Sequence, residues 1–297
     1  MTVKNYLQPE FCSTNYIDAN LNPTATITVT SGTGLGSTTA LWDYATDAVY
    51  TSSGSADATA FEITIDLQDY QYVDVIKLLG MNFKTFTVSV YLDSLAQYIP
   101  VIIQTAYTHN SFHLHLNIYP PGSYLVNSDN EYYYLNGAPI VAETLQIKLI
   151  KINCTHTQVA NSEKSIGEIF IGQRIFKNST NSCNSFEESY PDDYRNVQTN
   201  SLGKAFVYRG PGSFAAGLSF RGLTATEFRA LKDLIKNGGN YTFFPSGGHF
   251  GSSLSPTFDF ADIYLVTSIE DYKNNPWGSS NSTDTLSILV RETVNVG

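Results

Sequence analysis

Charge is scarce in this chain, cationic charge most of all: lysine and arginine supply 17 of 297 residues, against 27 aspartates and glutamates. A formal net charge of −10 leaves no basic face of the kind that grips a phosphate backbone, so a nucleic-acid partner is not expected. Cysteine is nearly missing. Cys12, Cys154 and Cys183 are far apart, odd in number and part of no CxxC or Cys/His cluster, which indicates neither a zinc site nor a disulfide framework. No apolar run approaches the roughly 20 residues that cross a bilayer, and membrane insertion is not expected. The opening MTVKNYLQPEFCSTNYIDAN has no apolar centre like that of a signal peptide, so export by that route is not expected either, and folding in a cytoplasm is. Four Asn-x-Ser/Thr sequons, at Asn153, Asn178, Asn240 and Asn281, read as chance in a chain rich in Asn, Ser and Thr.

Catalytic signatures are missing too. There is no GxSxG, no HExxH and no P-loop, and GPGSFAAG (210–217) has the wrong spacing for a nucleophile elbow. SGTGLG (31–36) carries three glycines but no helix follows it, which excludes a dinucleotide fingerprint. His113 and His115 share one strand face, yet the following NIYPPG lacks the carboxylate that a cupin-type metal site needs. The acid pairs Glu187–Glu188 and Asp192–Asp193 sit in a polar stretch and read as a solvated face. Two carboxylates joined only in space, as in a glycosidase, would leave no local trace. The expectation is a non-enzyme.

What is present points to strands. Tyrosine (20) and phenylalanine (17) are abundant beside Thr, Ser and Asn, a balance suited to pleated surfaces. TATITVT (24–30), FEITIDL (61–67), VDVIKLL (73–79), FTVSVYL (86–92), YIPVIIQTAY (98–107), FHLHLNIY (112–119), ETLQIKLIKI (143–152) and IGEIFIG (166–172) follow at the short spacing of an antiparallel sandwich. Residues 177–200 are polar and read as a linker after an N-terminal arm (1–23) and a sandwich (24–176). From 201 to 297 the pattern predicts a smaller β domain. Its strands are KAFVYRG, YTFFP, FDFADIYLVTSI and TLSILVRE, and it carries one packed helix at 222–239. Thr224 and Glu227 have capping-box spacing, Leu223 and Phe228 that of a hydrophobic staple, and Gly238–Gly239 ends the helix. Phe214, Phe220, Phe243, Phe244, Phe250, Phe258, Phe260 and Trp277 exceed what the core of so small a domain encloses, which predicts a partner surface there.

One residue stands out within this pattern. Glu168 lies in the apolar strand IGEIFIG, where a carboxylate faces solvent or has a partner that offsets its burial. Three consecutive tyrosines, Tyr132, Tyr133 and Tyr134, project to both faces of whatever strand or loop holds them, so at least one is exposed for sugar stacking or protein contact. The other reading of these three is a hairpin packed on the sandwich edge.

ALWDYATDAVYTSS (40–53), with FEITIDL and VDVIKLLGMNF after it, resembles the opening of discoidin-like, galactose-binding-type jelly rolls; Leu41, Asp43, Asp47, Tyr50, Asp66 and Leu67 are the matching residues. IGEIFIG is similar to that family's closing I-x-E-I strand. The resemblance implies an antiparallel jelly-roll sandwich in which Glu168 faces the 43–47 loop. In sugar-binding members such a loop and glutamate close on one calcium ion. It therefore implies calcium as the one cofactor, held by Asp43, Asp47 and Glu168, with loop carbonyls completing about six to eight oxygens. Trp42 and Tyr44, beside them, join the three tyrosines as candidates for glycan or partner binding. Two positions depart from the family: Tyr44 replaces a glycine and Tyr50 the usual tryptophan. The alternative for Glu168 is that it accepts hydrogen bonds from loop N–H groups.

VDVIKLLGMNFKTFTVSVYLDS and the opening segment resemble jelly rolls of tailed-phage virion proteins, and LSFRGLTATEFRALKDLIKNGGNYTFFPSGG is similar to small domains of tail-tip and baseplate components. This implies a virion structural protein that acts through assembly contacts. Its partners would be other tail or baseplate proteins and copies of itself in a symmetric array. The alternative is a carbohydrate- or receptor-binding module, adhesin- or lectin-like, that uses the jelly-roll loops on a host surface glycan.

Overall fold

A computed structural model describes residues 9–31, 34–44, 49–52, 57, 59–93, 96–115, 123–124, 134–135, 138–139, 141–142, 146–177, 183–189, 196–199, 205–208, 215–221, 223–237, 239–244, 264–274 and 285–292. Among these the protein is mostly β, with antiparallel sheets and a single helix. The chain forms two compact units: one is 13–174 with 249–263, the other 1–12, 175–248 and 264–297.

The first unit is a sandwich. A five-stranded sheet runs in the order Thr26–Ser31, Phe61–Tyr72, Gln146–Thr157, Phe83–Leu92, Gln97–Gln104. A three-stranded sheet is ordered Glu168–Gly172, Val75–Leu79, Phe112–His115. Alternation explains the larger sheet. Phe61, Ile63, Ile65 and Leu67 are buried while Glu62, Thr64 and Asp66 between them are not, because successive side chains point to opposite faces. Val88, Val90, Ile150, Ile152 and Cys154 answer them from the next strands, and Ile76, Leu78, Ile169 and Ile171 close the core from the smaller sheet. Each such side chain contributes about 1.5–3 kcal/mol of burial free energy. A bulge between Ile147 and Leu149 resets the register, so that Ile147 and Ile150 are both buried.

The second unit holds a seven-stranded sheet in the order Arg174–Lys177, Glu10–Cys12, Tyr241–Phe244, Tyr264–Asn274, Thr285–Glu292, Ala215–Arg221, Cys183–Ser189. The sandwich is thus an insertion between two strands that are neighbours in this sheet. Residues 10–12, part of the stretch read as an arm, pair with Tyr241–Phe244, and Phe11 packs with ring centroids 4.9 Å from Phe243 and 6.2 Å from Phe176. The stretch 177–200, read as a linker, contains the strands Cys183–Ser189 and Asn196–Thr199. The former is the sheet's last strand, a place where polar sequence is ordinary.

The helix spans Ala225–Asn237, shorter than the 222–239 expected, because its capping residues lie outside it. The Thr224 N–H donates to Glu227 Oε2 at 2.8 Å, and the Glu227 N–H donates back to Thr224 Oγ1 at 3.2 Å. Leu231 and Leu234 are buried with Phe228 and Ile235 half-buried beside them, and Gly239 follows with φ +127°. Phe220, Phe243 and Phe244 are fully buried. Phe214, Phe250, Phe258, Phe260 and Trp277 lie outside the described residues.

Candidate functional site

Glu168 opens a five-residue strand whose every residue is buried, and it is itself fully inaccessible to solvent. Its Oε2 accepts the Tyr44 N–H at 3.0 Å and its Oε1 the Asn15 side-chain amide at 3.4 Å. Asn15, also buried, organises the surrounding backbone. Its Nδ2 donates to the Ile169 carbonyl at 2.7 Å, while its Oδ1 accepts the N–H groups of Ile171 at 3.1 Å and Ile17 at 3.4 Å. The Asn15 N–H in turn donates to the Tyr44 hydroxyl at 3.3 Å. Tyr44 sits at φ 61°, in the left-handed region that favours glycine, and its bond to Glu168 helps to hold it there.

Burial pushes the Glu168 carboxyl well above the ordinary carboxylate range; Asp43 and, less strongly, Asp18 push it the same way, and the Tyr44 and Asn15 bonds only partly oppose them. Asp18 is raised as well, again by burial, against bonds from the Asn20 and Leu21 N–H groups and the Tyr44 side chain. Its Oδ2 is buried without a hydrogen-bond partner among the described residues. The cluster therefore favours a neutral Glu168 that fastens the closing strand to the 15–18 segment and to the loop at 44.

Among the described residues no group of three or more His, Cys, Asp or Glu side chains is placed to hold a metal ion, and Asp47 lies outside them. Both Glu168 oxygens already accept an N–H bond, and a cation would have to displace those donors. Calcium held by Asp43, Asp47 and Glu168 stays a proposal drawn from the resemblance.

The other sequence candidates separate. Trp42 follows the Thr38–Leu41 turn, half-buried against the sandwich core, with its N–H bonded to the Thr39 carbonyl at 3.1 Å. Asp43 is exposed. Tyr132 and Tyr133 lie outside the described residues; the backbone of Tyr134 pairs with Pro139 in a two-residue ladder. Asn15 and Asp18 escaped the sequence reading because a buried Asn or Asp in a polar segment looks like any other.

A second group, also missed, lies on the outward face of the five-stranded sheet. Lys151 Nζ is 3.2 Å from Glu62 Oε1 and 4.6 Å above the Tyr98 ring. The Asn153 amide donates to Glu62 Oε2 at 3.3 Å, and Tyr91 meets Tyr98 edge-on at 5.2 Å. Further along, Gln71 pairs with the buried Ile147, so Tyr70 and Tyr72 stand on the outward side, each 49% exposed.

No protein-family model matches this chain, and no curated protein is similar to it in sequence. Among solved structures it is similar to chitosan-binding module 1 of a chitosanase/glucanase from Paenibacillus sp. IK-5, at 16% identity over 53% of this chain and 97% of that one, TM-score 0.36. It is also similar to CpGH89CBM32-4 produced by Clostridium perfringens, at 16% identity over 54% and 98%, TM-score 0.34. A third is a GH29 fucosidase from Ruminococcus gnavus, at 13% identity over 54% of this chain but only 27% of that one, TM-score 0.36. The fold described above stands on its own strand order and registers.

Proposed function

We propose that this chain is a non-catalytic carbohydrate-binding protein whose sandwich carries the glycan. The observation that supports this best is the pair Tyr70 and Tyr72, two residues apart on one strand and both half exposed. Tyrosine offers a flat apolar ring with a hydroxyl that stays paired in water or ligand, and successive outward residues on a strand sit about 6.7 Å apart, so the two rings form one platform. A glycan array probed with the whole chain tests the reading. Binding to a defined set of glycans, lost on replacing Tyr70 and Tyr72 together by alanine, supports it. An array with no signal refutes it.

The virion placement keeps the support of the sequence resemblance to tailed-phage tail-tip and baseplate proteins. In that setting the partners are neighbouring tail proteins, further copies of this chain and a host surface glycan. Light scattering on the full chain, followed by mixing with purified tails, checks it; a monomer that associates with no tail component counts against it.

A further inference from the structure

We propose that the outward face of the five-stranded sheet, centred on Glu62, Tyr98, Lys151 and Asn153 with Asp66 and Tyr91 at its margin, binds a neutral oligosaccharide. This rests on the carbohydrate reading above, continues the outward face that carries Tyr70 and Tyr72 on the same strand, and assigns the glycan a place away from Trp42 and Tyr44.

Register fixes the face. Lys151 pairs with Thr64 on one side and Ser89 on the other, Asn153 with Glu62 and Thr87, and Tyr91 with Tyr98, so these side chains share the side opposite the buried Ile63, Ile65, Ile150 and Ile152. A sheet's outer face is usually polar and solvated, with long charged side chains reaching into water. Here they do not reach out. Lys151 and Glu62 are only 29% and 25% exposed, held by each other, by the Asn153 amide and by the Tyr98 ring. Donors and acceptors are therefore fixed before any ligand arrives, which removes side-chain ordering from the cost of binding.

The chemistry of the patch selects a ligand class. Two carboxylates supply acceptors, the ammonium and the amide supply donors, and they stand at neighbouring positions of adjoining strands. Adjacent hydroxyl groups, each both donor and acceptor, match that alternation, and the tyrosine rings offer flat apolar surface to the C–H faces of sugar rings. The four strands from Phe61–Tyr72 to Gln97–Gln104 span about 14 Å, three gaps of roughly 4.8 Å, which suits a short run of rings better than a single one. Charge narrows the class further. Among the described residues of the patch the cation, Lys151, is already matched by Glu62, and Asp66 adds a second carboxylate, so a sulfated or carboxylated glycan meets repulsion and a neutral one does not.

The test is calorimetric titration of the full chain with tetraoses of β1,4-linked glucose, galactose and N-acetylglucosamine, and with a heparin-derived tetrasaccharide as the anionic probe. At least one neutral tetraose should bind while the heparin fragment does not. Tyr98→Ala should weaken binding at least about tenfold, and Tyr98→Phe, which keeps the ring, should restore most of it, separating lost stacking from lost folding. Lys151→Ala should weaken binding comparably, and Trp42→Phe should leave it intact. Unchanged affinity in Tyr98→Ala with loss in Trp42→Phe would move the site to the loops, overturning this proposal but not the carbohydrate reading. Preference for the heparin fragment would overturn the neutral assignment alone. No binding to any probe would defeat both.

Discussion

Replacing Glu168 by glutamine should make the sandwich less sensitive to alkaline pH, and the size of the effect follows from the cluster's geometry. Glu168 is raised well above its ordinary 4.5 in the folded protein, chiefly by burial. Between 4.5 and that raised value the unfolded chain has released a proton that the folded one keeps. The stabilisation is therefore complete below 4.5 and is lost as pH climbs through the native value, at about 1.4 kcal/mol per unit within the window. Glutamine has no proton to lose. Near pH 5 it should cost about 1 kcal/mol, because its amide must face the Asn15 Nδ2, whose orientation is fixed by Ile169 and Ile171. As pH rises through that window the difference should move steadily in the variant's favour. Asp18 is raised too but is present in both proteins, so it largely cancels. Glu168→Ala is the contrasting case: it strands the Tyr44 N–H and the Asn15 amide and opens a void, costing about 3–5 kcal/mol near pH 5, a cost that falls with rising pH as the wild type loses its own stabilisation. Urea unfolding at pH 5, 6, 7 and 8, followed by Trp42 fluorescence in a Trp277→Phe background, isolates the sandwich. Parallel wild-type and glutamine curves across that range would show that Glu168 is not held neutral, and the account of the cluster would fail.

Other expectations are simpler to check. A Cβ on Gly172 would sit 2.7 Å from both the Phe170 ring and the Ser13 hydroxyl; since Phe170 is fully buried and cannot swing away, Gly172→Ala should lower stability by about 1–3 kcal/mol in the same urea assay. Glu227→Ala removes half of the capping box at the helix start and should cost the second unit about 1 kcal/mol, read as a lower melting temperature by circular dichroism at 222 nm. The Cys154 thiol is pushed up to about 12, first by burial, so its tryptic peptide should stay unmodified by iodoacetamide at pH 8 until urea is added. Rapid native alkylation at Cys154 would contradict its place in the core.

Legibility varied with how local each feature was. FEITIDL and TLSILVRE announced themselves because a strand with one buried face prints its alternation in the sequence, and the Thr224–Glu227 pair did so because a capping box spans three residues. Glu168 was visible as a carboxylate among isoleucines. Its partners were not. Asn15 is 153 residues away and reads as one more polar residue in STNYIDAN. Strand Glu10–Cys12 is three residues long, too short for any period, and its pairing with Tyr241–Phe244 is a matter of tertiary choice. The outward patch escaped for a related reason: Glu62, Tyr98, Lys151 and Asn153 come from three strands, and no stretch of sequence shows them side by side.

The insertion of the sandwich also bears on synthesis. The chain leaves the seven-stranded sheet at residue 12 and returns at 175, and the sandwich's two ends are tied where the Ser13 N–H donates to the Gln173 carbonyl at 2.7 Å and the Gln173 N–H to Ser13 Oγ at 3.0 Å. Every strand of the sandwich's two main sheets has emerged from the ribosome once residue 174 is clear, so these sheets can form while translation continues. Glu10–Cys12 must wait. Its partner Tyr241–Phe244 emerges some 230 residues after it, and until then that edge of the strand, which carries Phe11, lacks its neighbour. At roughly 5–20 residues per second that interval lasts on the order of ten seconds or more. The early-folding sandwich shortens it in effect, because closing Ser13 onto Gln173 holds Glu10–Cys12 beside Arg174–Lys177 and turns a long-range search into a local one.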